Sequence, residues 1–361
     1  MLKRVSIQNF KSLKDVTLDL QKVNLLIGPN NSGKTNFLKA LELIREGENQ
    51  PNYNPNEIAF GKRLSKEISV NLLWPSDREE FDWRIFKLYY DLNTLTSATG
   101  YFKNDLPDEI ITGRVSIPDF QRYQYSSLKI YKLDPNKLAQ PGPVGIGEEI
   151  VSADGSNLVG FLDLMLGKYR KSVFNRTEND LHTCIPEFDE INLDDAPATE
   201  ELKKQYGDKS FKRLGLSNSK QGITYWADEL SEGTLYFLAL LCIINQPNPP
   251  KLLLLEEPEK GIHPRRLFEV MQFILTLVEE KDVQVIMTTH SPAIVDMFKD
   301  MPESVFIFDK DEEGATHVKN LLHDVIEPET ERSKELGIEP PHYTDSLGDA
   351  WTVGFLGGVP K

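Results

Sequence analysis

A glycine-rich octapeptide between two apolar segments constrains the fold of this chain more than any other feature. It matches the pattern Gly-x4-Gly-Lys-Ser/Thr, and its residues are Gly28, Pro29, Asn30, Asn31, Ser32, Gly33, Lys34 and Thr35. Residues 23–27 predict a buried strand before it, and residues 35–45 predict a helix after it with one apolar face. A strand, this loop and a helix in that order predict an α/β fold with a phosphate-binding loop.

The residue types of the octapeptide suit phosphate chemistry. Gly28 and Gly33 allow successive backbone N–H groups to point into one concavity, and the helix start adds unpaired N–H groups and the positive end of its dipole. We expect Lys34 to reach the β- and γ-phosphates and the Thr35 hydroxyl to hold Mg²⁺. The octapeptide therefore predicts a nucleoside triphosphate site.

A second apolar run ends in carboxylates. Residues 252–255 are four leucines, which suit a parallel strand buried on both faces, and Glu256 and Glu257 follow. Because ligands of open α/β sheets bind at the carboxyl ends of strands, we expect Glu256 to position Mg²⁺ and Glu257 to orient or deprotonate the attacking water. Alone, the run fits a buried strand with a solvated acidic turn equally well. The phosphate loop favours the functional interpretation.

Two further motifs have a polar residue beside an apolar run. Ser231, Glu232 and Gly233, here called the signature segment, begin an apolar stretch and predict a second anion site at a capped helix start. One chain cannot easily wrap both anion sites around one phosphate chain, whereas two facing chains can. His290 ends the apolar run 283–288 and is predicted to hydrogen-bond the γ-phosphate and the attacking water. The alternatives are an ordinary capped core helix and a structural histidine.

The order of these motifs resembles the ABC-type ATPase heads, above all the RecF/SMC-like and the overcoming-lysogenization-defect (OLD) ATPases. Residues 7–14 and 256–264 also fit that group. The resemblance implies a P-loop NTPase with a mixed-sheet core and a helical insertion, which hydrolyses ATP with Mg²⁺ as a homodimer. It implies that the signature segment acts in trans on ATP held by the partner's phosphate loop. Glu256 departs from the aspartate usual in ABC proteins.

The resemblance also implies a glutamine that links Mg²⁺ to the helical lobe. Its position stays open among three candidates, Gln121, Gln124 and Gln140.

Charge and composition bound the other partners. A net charge of −15 argues against a chain uniformly coated for nucleic acid. Residues 168–220 nevertheless interleave basic and aromatic side chains, and the candidate DNA contacts there are Lys203, Lys204, Lys212 and Arg213. Acidic residues interrupt this span, which favours a solvated helical face. Two cysteines without a Cys-x-x-Cys pair, and no signal-peptide or membrane-spanning pattern, predict a cytoplasmic protein without membrane contact.

The motif order predicts a single ABC-type head over residues 1–361. Its expected parts are an N-terminal core half with a strand-rich lobe (1–155), a helical insertion (156–222) and a C-terminal core half (223–361). No heptad pattern of useful length separates the motifs, so long coiled-coil arms are not expected. Residues 305–314 predict a hairpin with an acidic turn, because about fifty residues afterwards are too few for a nuclease domain.

Two functions follow from these expectations. The first is an ATPase sensor or scaffold of an anti-phage defence system that controls a separately encoded nuclease or toxin effector. For it, the apolar residues 348–360 form a packed tail or a docking segment with Trp351, Phe355 and Leu356 as anchors. The alternative is a RecF-like DNA-binding ATPase in DNA repair, which would use the basic span.

Overall fold

In the computed structural model the chain divides into two units. The structure describes residues 1–46, 55–62, 67–76, 79, 82–90, 95–102, 128–145, 148–197, 200–207, 209–341 and 343–358. Unit 1 comprises residues 1–130, 251–257 and 282–361, and unit 2 comprises residues 131–250 and 258–281. The boundaries predicted at 155 and 222 do not coincide with these units. Those boundaries followed local composition, whereas a unit is defined by packing between distant segments.

The described residues contain fifteen strands and eleven α-helices. The strands are β1 (Arg4–Phe10), β2 (Leu13–Asp19), β3 (Val23–Ile27), β4 (Ile68–Pro75), β5 (Trp83–Tyr90), β6 (Leu95–Phe102), β7 (Ile130–Tyr131), β8 (Gly142–Pro143), β9 (Glu190–Ala196), β10 (Phe211–Asn218), β11 (Ile223–Trp226), β12 (Leu252–Glu256), β13 (Gln284–Thr288), β14 (Val305–Lys310) and β15 (Thr316–Asn320). The helices are α1 (Lys34–Glu46), α2 (Pro55–Ile58), α3 (Pro135–Leu138), α4 (Leu158–Lys168), α5 (Asn175–Cys184), α6 (Glu200–Tyr206), α7 (Glu232–Asn245), α8 (Pro264–Lys281), α9 (Pro292–Asp296), α10 (Glu327–Leu336) and α11 (Leu347–Thr352). No helix in the described ranges is long and apolar enough to cross a membrane.

The central sheet of unit 1 has the order β15-β14-β3-β13-β12. Strands β14, β3, β13 and β12 are parallel, and Leu25 of β3 lies between Met287 of β13 and Val305 of β14. The carboxyl ends of these strands therefore share one edge of the sheet, as expected for a doubly covered parallel sheet. β15 returns antiparallel to β14, which confirms the predicted hairpin.

A second sheet of unit 1, with the order β2-β1-β4-β5-β6, is antiparallel. Helix α1 packs in the core with both sheets, and its apolar face is buried as predicted, since Phe37, Leu38 and Leu41 are fully inaccessible. Phe37 meets Phe308 of β14 edge to face at 6.0 Å between ring centroids. This packing fixes the start of α1, and with it the phosphate loop, against the central sheet.

The predicted helical insertion contains strands as well as helices. Residues 156–222 include α4, α5 and α6 together with β9 and β10, which pair antiparallel over seven residues. Residues 214–217 of β10 are all buried, as in a strand that is covered on both faces. The basic side chains between the apolar residues had favoured a solvated helix.

The three glutamine candidates fall in different places. Gln121 and Gln124 lie outside the described residues. Gln140 follows helix α3 in unit 2, where its backbone N–H donates to Lys137 O at 3.3 Å.

Candidate nucleotide-binding site

The octapeptide forms a tight loop between β3 and α1 in unit 1. Lys34 is only 5% exposed, and its ammonium donates to Gly28 O at 2.7 Å and to Pro29 O at 2.9 Å. Asn31 has a φ of 66°, a left-handed conformation that asparagine tolerates better than most residues. The lysine thus lies within its own loop, among carbonyl groups whose place phosphate oxygens can take as acceptors.

The two glycines of the loop leave no room for a side chain. A Cβ on Gly28 (φ 142°) would lie 2.2 Å from Phe308 O, and one on Gly33 (φ 113°) would lie 2.3 Å from Thr316 Oγ1. Backbone conformation and close approach both demand glycine at these positions. The closeness of β14 and β15 to the loop explains why.

Ser12 and Thr316 support the loop, although the sequence predicted a role for neither. The Thr316 hydroxyl donates to Ser32 O at 2.8 Å and lies 2.8 Å from Ser12 Oγ, which also accepts from Asn36 Nδ2 at 2.9 Å. The Thr316 N–H donates to Ser12 O at 2.8 Å. This support was not predictable from either residue's sequence context, because the turn after β1, the loop before α1 and β15 meet only in the folded chain.

Ser32 provides a test of whether a phosphate fits. Its side chain is buried, and within the part of the chain that the structure describes its Oγ has no hydrogen-bond partner. A buried hydroxyl without a partner costs free energy unless a ligand or water satisfies it. A phosphate oxygen in the loop is the acceptor that this position suits.

Thr35 and Glu256 form the pair predicted to hold Mg²⁺. The Thr35 hydroxyl donates to Glu256 Oε1 at 2.7 Å, so the start of α1 and the end of β12 bring a hydroxyl and a carboxylate together. Mg²⁺ prefers oxygen ligands, commonly one or two from the protein with water and substrate phosphates. The two side chains fit that donor set.

Glu257 has a strained backbone at the end of β12. Its φ is 49°, and its N–H donates to both Thr288 O and Thr288 Oγ1, each at 3.2 Å. A non-glycine residue in this conformation costs about 1–3 kcal/mol and persists only where its surroundings hold it. Such outliers cluster at active sites, and Thr288, the last residue of β13, supplies the restraint.

His290, predicted to hydrogen-bond the γ-phosphate and the attacking water, lies beside Glu257. Its Nε2 is 3.7 Å from Glu257 Oε1. Burial lowers the pKa of His290 below its ordinary value, and the positive charge of Lys34 lowers that pKa further, while Glu257 opposes the shift. The imidazole is therefore neutral near pH 7 and can both donate and accept a hydrogen bond.

These side chains line one cavity of about 230 Å³. Its walls are formed by residues 30–36 together with Glu257, Thr288 and His290. Pockets for whole drug-sized ligands usually enclose about 300–1,000 Å³, so this cavity suits the phosphate end of a nucleotide rather than all of it. The structure thus brings the phosphate loop, Glu257 and His290 together in unit 1.

The signature segment lies in unit 2 at the start of α7. Ser231 is the N-cap, and its hydroxyl accepts from the Thr234 N–H at 3.1 Å. Glu232 Oε2 accepts from the His263 N–H at 3.1 Å. Gly233 has space for a Cβ, whose nearest neighbours would lie 3.6 Å away. Packing inside unit 2 therefore does not require glycine at position 233.

The basic residues suggested for DNA contact are mostly engaged within unit 2. Lys212 pairs with Asp163 at 2.7 Å, and Lys203 pairs with Glu200 at 3.6 Å. Arg213 pairs with Asp194 at 3.1 Å and covers the Trp226 ring at 3.7 Å from its centroid. Lys204 is exposed. Direct DNA contact through these four residues stays a prediction.

Two family models match the chain. One, described as "AAA domain, putative AbiEii toxin, Type IV TA system", matches residues 148–296, and the other, described as "AAA domain", matches residues 4–125. The first range contains the signature segment, Glu256, Glu257 and His290, and the second contains the phosphate loop.

Individual proteins show the same likeness. An OLD nuclease of Thermus scotoductus is 23% identical over 324 residues, which cover 82% of this chain and 60% of that protein. An ATP/GTP phosphatase of Helicobacter pylori is 22% identical over 339 residues, covering 82% of this chain and 87% of that protein. The ATP-binding protein EcfA2 of an energy-coupling factor transporter from Bacillus thuringiensis is 29% identical over 162 residues, covering 43% of this chain and 52% of that protein.

Among solved structures, the SMC head domain from Thermotoga maritima matches 88% of this chain and 98% of its own, at 14% identity and a TM-score of 0.49. The chain spans 60% of the OLD nuclease and about half of EcfA2.

Proposed function

We propose, from the premise that the chain is an ABC-type ATPase of the RecF/SMC-like and OLD-like group, that it binds ATP with Mg²⁺ in unit 1 and hydrolyses it as a homodimer. The observation that carries the proposal is the convergence of Lys34, Glu257 and His290 on one cavity at the carboxyl edge of the central sheet. The ATP/GTP phosphatase relative supports hydrolysis as the reaction.

The side chains divide the work in the proposed reaction. The loop N–H groups, the start of α1 and Lys34 bind the phosphate chain and offset its negative charge. Thr35 and Glu256 would hold Mg²⁺, which supplies charge neutralisation at the β- and γ-phosphates. Glu257 would take a proton from the attacking water, and neutral His290 would orient that water through Nε2.

The strained Glu257 backbone supports its role as the base. The two hydrogen bonds from its N–H to Thr288 tie its backbone to the neighbouring strand, which fixes the point from which the carboxylate side chain extends. Preorganised groups need no rearrangement as the reaction proceeds. The signature segment, whose glycine is not needed for packing inside unit 2, would contact the ATP of the partner chain.

The biological role we propose is control of a separately encoded nuclease or toxin effector in anti-phage defence. The names of the matching family model, with its toxin and Type IV TA system, and of the OLD nuclease relative support this direction. ATP-driven joining and release of two heads would then hold or free the effector.

The test of ATP hydrolysis is turnover by Glu257→Gln. Loss of a general base typically costs about 10²–10⁴ in rate, so we expect ATP to bind, turnover to fall by that factor, and an ATP-bound dimer to accumulate. Turnover is measured by phosphate release and assembly by native mass. Glu279→Gln, on an exposed position of α8, is the matched control. Near-normal turnover of Glu257→Gln would show that the base lies elsewhere.

A further inference from the structure

The starts of two helices in unit 2 share one cavity. Helix α7 begins after Ser231 and helix α8 begins at Pro264, and both starts line a cavity of about 610 Å³. The hydrogen bond from the His263 N–H to Glu232 ties them together at 3.1 Å. The N-terminal end of each helix carries a partial positive charge, so two such partial charges lie at this cavity.

Two arginines in the first turn of α8 add full charges to this place. Arg265 and Arg266 line the cavity, and no acidic residue occupies the first turn of the helix. Cations near a helix start are unfavourable, by about 0.3–1 kcal/mol each for exposed positions. Positions that break a local rule of this kind are often found at functional sites. Glu232 of α7 lines the same cavity, so its charged side chains are two arginines and one glutamate, with an excess of positive charge that suits an anion.

Arg266 lies next to Gly233 of the signature segment. A Cβ on Gly233 would lie 3.6 Å from the Arg266 Cβ, so the arginine stem packs beside that glycine. Arg266 also lines the neighbouring cavity of about 640 Å³ that includes Ser231 and Thr234. Its guanidinium, half-exposed, donates to Glu269 Oε1 at 2.8 Å and Oε2 at 3.0 Å. Glu269 therefore holds the guanidinium beside the signature helix.

We propose that Arg266 is a catalytic residue that binds the terminal phosphate of ATP held by the phosphate loop of a second copy of this chain. A planar guanidinium binds phosphate oxygens with two parallel hydrogen bonds, and phosphate would replace the Glu269 carboxylate. Arg265 supplies a second positive charge to the same cavity. This inference rests on the proposed function and adds to it an arginine that the motifs do not contain.

The exposed side chains of α8 near Arg266 favour a second copy of this chain as the binding partner. Phe268 is 60% exposed and lies three residues after Arg265, on the same face of α8. A large exposed aromatic side chain beside a cationic site suits a protein interface, where aromatic residues and arginine are enriched. Free nucleotide would cover the arginines and leave Phe268 in water.

The first test is ATP turnover by Arg266→Ala in the full chain. Loss of one preorganised donor costs about 10²–10³ in kcat, so we expect a loss of about 100-fold or more with ATP binding by the isolated chain unchanged. Arg266→Lys keeps the charge but not the fork, and it should retain part of the rate. Arg332→Ala, exposed in α10, is the matched control. Turnover of Arg266→Ala within about threefold of wild type would overturn the proposal.

The second test mixes Arg266→Ala with Lys34→Ala chains. Each mixed dimer has one intact phosphate loop facing one intact Arg266, so turnover should reach about a quarter of the wild-type rate under random pairing. Turnover no higher than that of either parent would overturn the assignment to a second copy.

The third test changes the internal partner of Arg266. Glu269→Gln removes the carboxylate that competes with phosphate for Arg266. Half-maximal turnover per chain should therefore be reached at a lower protein concentration than in wild type. If Glu269→Gln loses as much turnover as Arg266→Ala, the ion pair itself is needed for hydrolysis. That result would overturn the proposal that phosphate replaces the Glu269 carboxylate on Arg266. ATP turnover of wild type and of Glu257→Gln is measured in the same experiment, so that failure of this inference can be distinguished from failure of the proposed function. If their rates differ as predicted, hydrolysis stands whatever Arg266→Ala does.

Discussion

At the scale of single residues, the candidate site depends on a few side chains held in unusual states. Glu257 has a left-handed backbone tied to Thr288, Ser32 has a buried hydroxyl, and Lys34 is almost fully buried within its loop. Each of these states costs free energy in isolation. Their occurrence around one cavity is more easily explained by ligand binding than by stability.

His290 gives a pH-dependent prediction at this scale. Because burial and Lys34 lower its pKa, the unfolded chain takes up a proton at His290 before the folded chain does as the pH falls. The stability that depends on the neutral imidazole is present above the ordinary value of 6.5 and is lost as the pH falls through 6.5 toward the lowered value. We expect the difference in urea midpoint between wild type and His290→Gln to be constant above pH 6.5. Below pH 6.5 the midpoint of wild type should fall relative to that of His290→Gln.

The control for this measurement is His317→Gln, because His317 is exposed on β15. A difference between wild type and His290→Gln that stays constant from pH 7.5 to 5.5 would contradict the lowered pKa.

At the scale of elements, strand ends and helix starts carry the chemistry. The carboxyl ends of β3, β12 and β13 bring the phosphate loop, Glu256 and His290 to one edge of the sheet. The starts of α7 and α8 meet at the cavity lined by Ser231 and Arg266. In both units the backbone supplies unpaired N–H groups, and the side chains add charge.

Ser231 allows the helix cap to be separated from the proposed contact in trans. Aspartate is as good an N-cap as serine, so Ser231→Asp should keep the stability of α7 while its charge repels phosphate and abolishes hydrolysis. Ser231→Ala should lose about 1 kcal/mol of stability through the lost cap. Urea unfolding measures the cap, and phosphate release measures the contact.

Asn320→Asp is the matched control for the added charge. Asn320 caps the helical turn after β15, because its side chain accepts from the Leu322 and His323 N–H groups. It belongs to unit 1, whereas the signature segment belongs to unit 2. Its turnover should remain at the wild-type level. If Ser231→Asp hydrolyses ATP at the wild-type rate, Ser231 caps α7 but does not contact phosphate.

At the scale of the whole molecule, the C-terminal residues combine buried and exposed apolar side chains. Trp351 and Leu356 are buried, and the Trp351 Nε1 donates to Gly358 O at 3.2 Å. Val353 and Phe355 are 66% and 72% exposed. Of the three anchors suggested from the sequence, two therefore pack within unit 1, whereas Phe355, like Val353, stays exposed.

We expect a second polypeptide in the native mass of Glu257→Gln purified with ATP from its own genetic locus. Adding Val353→Ser and Phe355→Ser should remove that polypeptide without changing the ATP turnover of the otherwise wild-type chain. Ile223→Ser, which alters an exposed apolar residue of unit 2, is the control. A bare dimer, or a dimer that carries nucleic acid, would contradict control of a protein effector and favour a RecF-like DNA-binding ATPase.

Much of the site was predictable because its motifs are local. The octapeptide, the leucine run before Glu256 and the apolar run before His290 each contain both the strand and the functional residues within about ten positions. The hairpin of β14 and β15 was predictable for the same reason. Ser12, Thr316 and Arg266 were not, because their roles depend on segments that are far apart in sequence or carry no motif.

The sequence by itself determined the type of each motif, since backbone conformation and hydrophobic periodicity at a phosphate loop or a strand are short-range properties. Only the tertiary structure decided how the chain divides, since unit 2 takes residues 131–250 and 258–281 and leaves Glu256 and Glu257 in unit 1. It also decided the left-handed Glu257, the closeness of Thr316 to Gly33 and the pairing of Arg266 with Glu269. These features come from the packing of distant segments, which local composition does not encode.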